Sequence, residues 1–243
     1  MTLTYEQAAH KIMVALDYSS AADAEQLIKK IDGIPCYIKV GMQLFYAAGP
    51  SFVEGLKNRG FNVFLDLKMH DIPNTVKGGA HSITKLGVDM FNVHAAGGRA
   101  MMEAAMEGVY AATTGSDRPT VIAVTQLTST SQAVMNNEIG LAGTVEEAVI
   151  RYASLTKQAG LDGVVASPSE VVAIKQACGQ AFQTITPGIR PIGADVNDQS
   201  RIMTPSEALK QGTDFMVIGR PITAAPDPRA SLESIIKELI NYE

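Results

Sequence analysis

Cysteine is scarce in this chain: Cys36 and Cys178 are the only two in 243 residues. Their spacing fits neither a metal nor a redox motif, which excludes a disulfide framework and dithiol chemistry. Both are expected as buried thiols in a reducing compartment. An excess of basic residues is also lacking. The formal net charge of −5 argues against a nucleic-acid surface, although a few clustered arginines would still serve a small anionic ligand. No apolar run approaches the length needed to cross a bilayer. Residues 1–7 show no basic region leading into an apolar one, so no signal peptide is visible. The expectation is a soluble, cytoplasmic protein with no nucleic-acid or membrane partner. Breaks in composition and linkers are missing too, which favours one domain over residues 1–243.

What is present is ordinary globular composition, 46% hydrophobic and 19% charged, ample for a large core. Short apolar runs alternate with amphipathic segments from one end to the other. The runs that read as strands are 12–17, 36–41, 62–68, 90–94, 120–127, 163–166, 183–186 and 215–219. Helical patterns cover 21–31, 51–59, 73–86, 99–112, 145–159, 169–177, 206–210 and 231–240. Strands that are apolar throughout, rather than alternating, suit a parallel sheet covered on both faces. Repeated units of this size predict an α/β fold of the (β/α)8 TIM-barrel type. A doubly wound open sheet is the competing architecture, but no GxGxxG follows the first run, so the usual nucleotide signature is missing.

Against this background the stretch Asp66-Leu-Lys68-Met-His-Asp71 stands out, with three full charges directly after the apolar run 61–65. Alternation along an extended chain puts Asp66 and Lys68 on one face, about 7 Å apart. Upstream, Lys39 likewise interrupts an apolar strand. Charged side chains are rarely buried unless paired, and two lysines with two aspartates can form a neutral network in a pocket. The alternative is a pair of surface salt bridges worth little.

In a barrel of this type, functional residues sit where strands end and loops begin. Asp17, Lys39, Asp66, Lys68, His94, Thr128 and Arg220 all fall at such positions. Two later segments look suited to an anion: Thr186-Pro-Gly-Ile-Arg190 and Val217-Ile-Gly-Arg220 follow the seventh and eighth strands, where phosphate is often held in this fold. Glycine allows close backbone approach there, and arginine supplies forked donors. The connection 187–205 is long, and its polar centre from Asp195 through Gln199 to Arg201 could close as a lid over the ligand. His70 and His94 are expected as hydrogen-bonded packing residues, and Met42, Met69, Met101 and Met102 as core or packing residues.

These stretches together resemble the orotidine 5′-phosphate decarboxylases of the bacterial type. The matching segments are Val14-Ala-Leu-Asp17, Ile38-Lys39-Val-Gly41, Phe64 through Thr75, Val93-His-Ala-Ala-Gly97, Gln126-Leu-Thr128-Ser-Thr130, Pro187-Gly-Ile-Arg190 and Val217-Ile-Gly-Arg220. They run in order over nearly the whole chain. The Asp-x-Lys-x-x-Asp spacing alone is shared with related sugar-phosphate decarboxylases and synthases; Lys39, Thr128 and Gln199 narrow the choice.

The resemblance implies conversion of orotidine 5′-phosphate to UMP and CO2 at the end of pyrimidine synthesis, with no cofactor and no metal. It also implies a homodimer with its sites at the interface. Lys39, Asp66, Lys68 and the partner subunit's Asp71 would form the charged network. Asp17, with the partner subunit's Thr75, would meet the ribose hydroxyls, and Thr128 the pyrimidine. Gln199, Arg190, Arg220 and the Gly219 amide would address the phosphate.

Loss of CO2 from C6 leaves a carbanion that the ring cannot delocalise as an enolate, so the site must hold a fixed positive charge beside that carbon. Lys68 fits this role and that of the acid that protonates C6. One charge about 4 Å away contributes on the order of 4 kcal/mol at an effective dielectric of 20, so preorganisation and the phosphate grip must supply the rest. Three other readings stay open on the residues alone. One is a Schiff-base aldolase using Lys68 or Lys39. Another is a metal-dependent epimerase or β-keto acid decarboxylase with Asp66, His70 or His94 as ligands. The third is a barrel that binds a phosphorylated ligand without turning it over.

Overall fold

The computed structural model describes residues 2–115, 117–191 and 203–241. Eight parallel strands close into a barrel in chain order: β1 (Ile12–Leu16), β2 (Tyr37–Gly41), β3 (Asn62–Met69), β4 (Met90–His94), β5 (Thr120–Val124), β6 (Gly163–Val165), β7 (Gln183–Thr186) and β8 (Phe215–Ile218), with β8 pairing back onto β1. Helices alternate with the strands and cover the outside. Helix Ala21–Ile31 shows how the sequence builds one. Ser20 caps it by accepting from the Asp23 amide, Lys29 and Lys30 sit in its last turn, and Ala24, Leu27, Ile28 and Ile31 form its buried stripe. Burying each of the larger three stabilises by roughly 1.5–3 kcal/mol, more than the cap's ~1 kcal/mol.

Alternation along each strand divides the apolar residues between two cores. One face packs outward under the helices, with Val14, Ile38, Val63, Leu65, Phe91 and Val121. The other fills the barrel interior with Met13, Tyr37, Phe64, Met90, Ile122 and Ile185. Two residues farther along five of those strands, on the same inward face, stand Ala15, Lys39, Asp66, Asn92 and Val124. An apolar plug therefore closes the barrel beneath a layer that includes three polar side chains.

The amino-terminal rim is tied by a device used three times. Asp89, Asp162 and Asp214 each stand one residue before an even-numbered strand and accept an amide from the second residue of the preceding strand. Those amides are Val63 N at 2.7 Å, Val121 N at 2.8 Å and Thr184 N at 2.7 Å. Each carboxylate also meets a cation, Lys57, Arg118 or Lys175. At the corresponding place before β2 stands Cys36, whose thiol is pushed up to about 12 by burial.

The structure departs from the sequence reading at several boundaries. The fifth strand, expected over 120–127, ends at Val124, because the chain then turns, with Thr130 N donating to Leu127 O. Helices Tyr5–His10, Met42–Ala48, Gln132–Asn137 and Arg220–Thr223 were not expected. Each is at most seven residues long, too short to show a clear apolar period. Cys36 and Cys178 are buried as expected. Met101 and Met102 are buried too, but Met42 is exposed, which corrects its reading as a packing residue within this chain. Among the described residues no helix is long and apolar enough to cross a membrane.

Candidate active site

At the carboxyl-terminal end of the barrel lies a cavity of about 570 Å³, the size of a small-molecule site. Its floor is a chain of charges. Asp66 Oδ2 lies 3.2 Å from Lys39 Nζ, Asp66 Oδ1 accepts from Lys68 Nζ at 2.6 Å, and Lys39 Nζ donates to Asp17 Oδ1 at 3.1 Å. The Lys39 and Asp66 side chains are only 8% and 12% exposed, whereas Lys68 is 25% and Asp17 61% exposed. The inner pair is thus withdrawn from water and the outer members face the cavity.

Burial disfavours charge on Lys39, but the carboxylates of Asp66 and Asp17 outweigh it and hold the ammonium above its ordinary range. Burial likewise disfavours the Asp66 carboxylate. Lys39 and Lys68, with hydrogen bonds from Lys68 and Asn92, reverse that and hold it below the usual carboxylate range. Lys39 and Asp66 are therefore both charged at neutral pH. A lysine kept cationic is a poor Schiff-base nucleophile, which counts against Lys39 in that role. Asp66 has both oxygens engaged by ammonium and amide donors, which leaves it badly placed to ligate a metal.

Simple alternation along β3 does not explain how Lys68 meets Asp66. Leu65 pairs with Phe91 and Met69 with Val93, so β3 carries two extra residues between the same rungs. Lys68 has φ 55° and is the one non-glycine residue at positive φ among those described. Such a backbone is costly for a residue with a Cβ. Asn92 on β4 supports it: its Oδ1 accepts from Lys68 N at 2.8 Å while its Nδ2 donates to Asp66 Oδ1 at 2.7 Å. Sequence reasoning missed Asn92. The available signal was its inward parity between Met90 and His94. Gly41 was read only as part of a motif, yet a Cβ there would lie 3.1 Å from Lys39 Nζ and 3.4 Å from Asp17 Oδ1.

The same cavity also holds the anion-suited segments. Thr128, Gly188, Arg190, Gly219 and Arg220 all line the same cavity as Lys39, Asp66 and Lys68. Gly188 has φ 81°, a left-handed backbone that suits glycine. The connection after β7 is closed at its base: Ile189 bridges Met203, and Arg190 N donates to Met203 O at 2.9 Å. Arg190 is buried, with Nη1 donating to Ile189 O. Gly219 precedes the short helix Arg220–Thr223.

Asp71 and Thr75 are exposed and do not line the cavity of their own chain; Asp71 Oδ1 accepts from Ile72 N. Gln199, with Asp195 and Arg201, lies outside the described residues. His70 and His94 pack edge to face with centroids 5.5 Å apart. His94, expected as a hydrogen-bonded packing residue, is half-buried and meets His70 through its ring, while His70, expected in the same role, is exposed. Burial lowers the His94 pKa, and the neighbouring His70 and Lys68 lower it further against the opposing pull of Asp66.

Comparison with known proteins gives a consistent picture. Residues 10–235 match the family described as orotidine 5′-phosphate decarboxylase / HUMPS. A protein from Moorella thermoacetica named orotidine 5′-phosphate decarboxylase is 52% identical over 234 residues, 96% of this chain and 93% of the relative. One of the same name from Bacillus cereus is 50% identical over 93% of this chain and 96% of the relative. Among solved structures, orotidine 5′-phosphate decarboxylase from Lactobacillus acidophilus superposes with a TM-score of 0.85 at 41% identity, covering 96% of this chain and 99% of that one.

Proposed function

The chain belongs to the orotidine 5′-phosphate decarboxylase / HUMPS family, and on that premise we propose that it converts orotidine 5′-phosphate to UMP and CO2 in pyrimidine nucleotide synthesis. The observation that carries this reading is the charged chain Asp17–Lys39–Asp66–Lys68 lining one cavity together with Arg190, Gly219 and Arg220. The first group suits a reacting carbon that becomes negative; the second suits a phosphate.

Lys68 then provides the cation beside C6 and the proton that replaces CO2. Asp66 keeps that ammonium aimed, and Lys39 holds Asp66 in place. Asp17 meets the ribose hydroxyls, Thr128 the pyrimidine, and Arg190, Gly219, Arg220 and Gln199 the phosphate. Binding the phosphate, remote from C6, assists the reacting end by holding the ring against Lys68. No metal or cofactor takes part in this scheme, and residues 1–243 work as one domain in the cytoplasm.

The same reading makes the protein a homodimer in which Asp71 and Thr75 serve the neighbouring site. Both are exposed, and the side chains of Met42, Tyr46 and Ile72 on the segments after β2 and β3 are exposed as well. Such apolar groups beside the active end favour a covered surface. The test is loss of the orotidine 5′-phosphate absorbance in the presence of a chelator. Conversion to UMP that survives the chelator supports the reading. Tight UMP binding without any absorbance change would mark a binding barrel instead, and activity lost with the chelator would restore a metal to the mechanism.

A further inference from the structure

Asn92 belongs to no wall of the cavity, yet it joins two of the groups on which the reaction depends. Its side chain is 1% exposed and sits where the pairing of β3 with β4 breaks register. At that point the Lys68 amide donates to Asn92 Oδ1, a side-chain acceptor on β4, at 2.8 Å. The other end of the same amide donates to Asp66 Oδ1, the oxygen that also accepts Lys68 Nζ. A closed ring results: Lys68 backbone, Asn92 amide, Asp66 carboxylate, Lys68 ammonium.

The chemistry of this ring restricts the residue. One end must accept from an N–H and the other must donate to a carboxylate, and the uncharged amide of asparagine offers both. An aspartate would have the same shape but would set a second carboxylate against Asp66. A longer amide would not fit a 1% exposed position without displacing neighbours.

We propose that Asn92 is a positioning residue for the decarboxylation, holding Lys68 in its left-handed backbone and fixing the Asp66 oxygen that orients the Lys68 ammonium. The proposal rests on the decarboxylase reading. It predicts that the substrate still binds when Asn92 is replaced, because the groups suited to phosphate and ribose are elsewhere, while the chemical step slows.

The experiment compares wild type with Asn92→Asp and Asn92→Ala, measuring kcat and KM for orotidine 5′-phosphate, the Kd of UMP, and thermal stability. The expected result is a fall in kcat of about 100-fold in both variants, the cost of displacing a reacting group by about 1 Å. KM and the UMP Kd should stay within about threefold, well short of the tenfold that 1.4 kcal/mol represents. In Asn92→Asp, kcat should recover relative to wild type as pH falls, because a protonated carboxyl regains a donor toward Asp66. The groups facing that carboxyl are Asp66 and Lys68 from β3, Lys39 from β2 and His94 from its own strand. Asn92→Ala should show no such recovery. Should the alanine variant not fold, the isosteric aspartate carries the test alone.

An Asn92→Asp enzyme with wild-type kcat overturns the proposal. So does a kcat loss that tracks the fraction unfolded and disappears at lower temperature, since Asn92 would then support only the fold. A wild-type protein that leaves orotidine 5′-phosphate unchanged overturns the decarboxylase reading itself and this inference with it.

Discussion

At the amino-terminal rim, Asp89, Asp162 and Asp214 each grip a backbone amide and one cation, so their charges are spent on holding strand ends together. At the carboxyl-terminal rim, Asp66 accepts from no backbone amide among the described residues. Its partners are Lys39, Lys68 and Asn92, all side chains. Lysine and aspartate thus do different work at the two ends. Below, the carboxylate completes the ladder and the cation neutralises it. Above, the carboxylate serves the cation, and Lys68 remains partly exposed to the cavity. What separates a clamp from a site is therefore the backbone: where it takes the carboxylate, the pair stabilises, and where it does not, the pair can act on a ligand.

Removing one member at each end should separate the two roles. Lys68→Ala is expected to lower kcat by about four orders of magnitude or more, since it deletes both an electrostatic stabiliser and a proton donor. UMP should still bind, and stability should change by no more than about 1–3 kcal/mol, because alanine is no better suited to positive φ than lysine. Near-normal turnover in this variant would sink the role of Lys68. Asp214→Ala is expected to do the reverse. It strips the buried Lys175 ammonium of its counter-charge and frees the Thr184 amide, a loss of about 3 kcal/mol, or very roughly 5–10 °C in Tm for a chain of this size. Turnover per folded molecule should be unchanged. If Asp214→Ala instead lowered kcat with Tm intact, the division between the two rims would be wrong.

A smaller effect is expected at Gly41, beside the Lys39–Asp17 pair of the carboxyl-terminal rim. The added methyl of Gly41→Ala would stand 3.1 Å from Lys39 Nζ and 3.4 Å from Asp17 Oδ1, tight enough to shift the lysine but not the strand. We expect kcat/KM to fall about tenfold, the equivalent of 1.4 kcal/mol, with Tm nearly constant. Steady-state kinetics beside thermal unfolding would show it, and an unaffected kcat/KM would mean that Lys39 can move without consequence.

Much of this comparison could be read from the chain alone, and the missing part has physical causes. The barrel was legible because each strand is a short apolar run. Asp17, Lys39, Asp66, Lys68, Thr128, Arg190, Gly219 and Arg220 were legible because they stand at strand ends or in the loops that follow them. Asn92 was not, since a single amide inside an apolar strand looks like a packing residue until the register of its neighbour is known. The positive φ of Lys68 was equally hidden: alternation put it beside Asp66, but the contact arises through a bulge. The clamps were invisible for a different reason. Asp89, Asp162 and Asp214 are separated from their cations by between 32 and 44 residues, and only the parallel pairing of neighbouring strands brings them together.

The two rims should also differ in acid, although the effect is the smallest of these. His94, beside the upper network, has its pKa lowered from 6.5, first by burial and then by His70 and Lys68. In the unfolded chain the same imidazole takes a proton near its ordinary value. Between the folded and unfolded values the unfolded state binds more protons, so stability falls as pH is lowered through that window and levels off once the folded imidazole is protonated too. His94→Gln removes the group, so the stability difference between variant and wild type should move in the variant's favour as pH drops below about 6.5. Solvent screening of a half-buried ring keeps this below about 1 kcal/mol. Asp66 cannot produce the same signature, because its depressed pKa places its loss of charge below 3.8. Lys39 cannot either, since its raised pKa places its loss above 10.5. Chemical denaturation of both proteins between pH 5 and pH 8 would resolve the shift, and parallel curves across that range would mean that His94 keeps its ordinary pKa in the folded barrel.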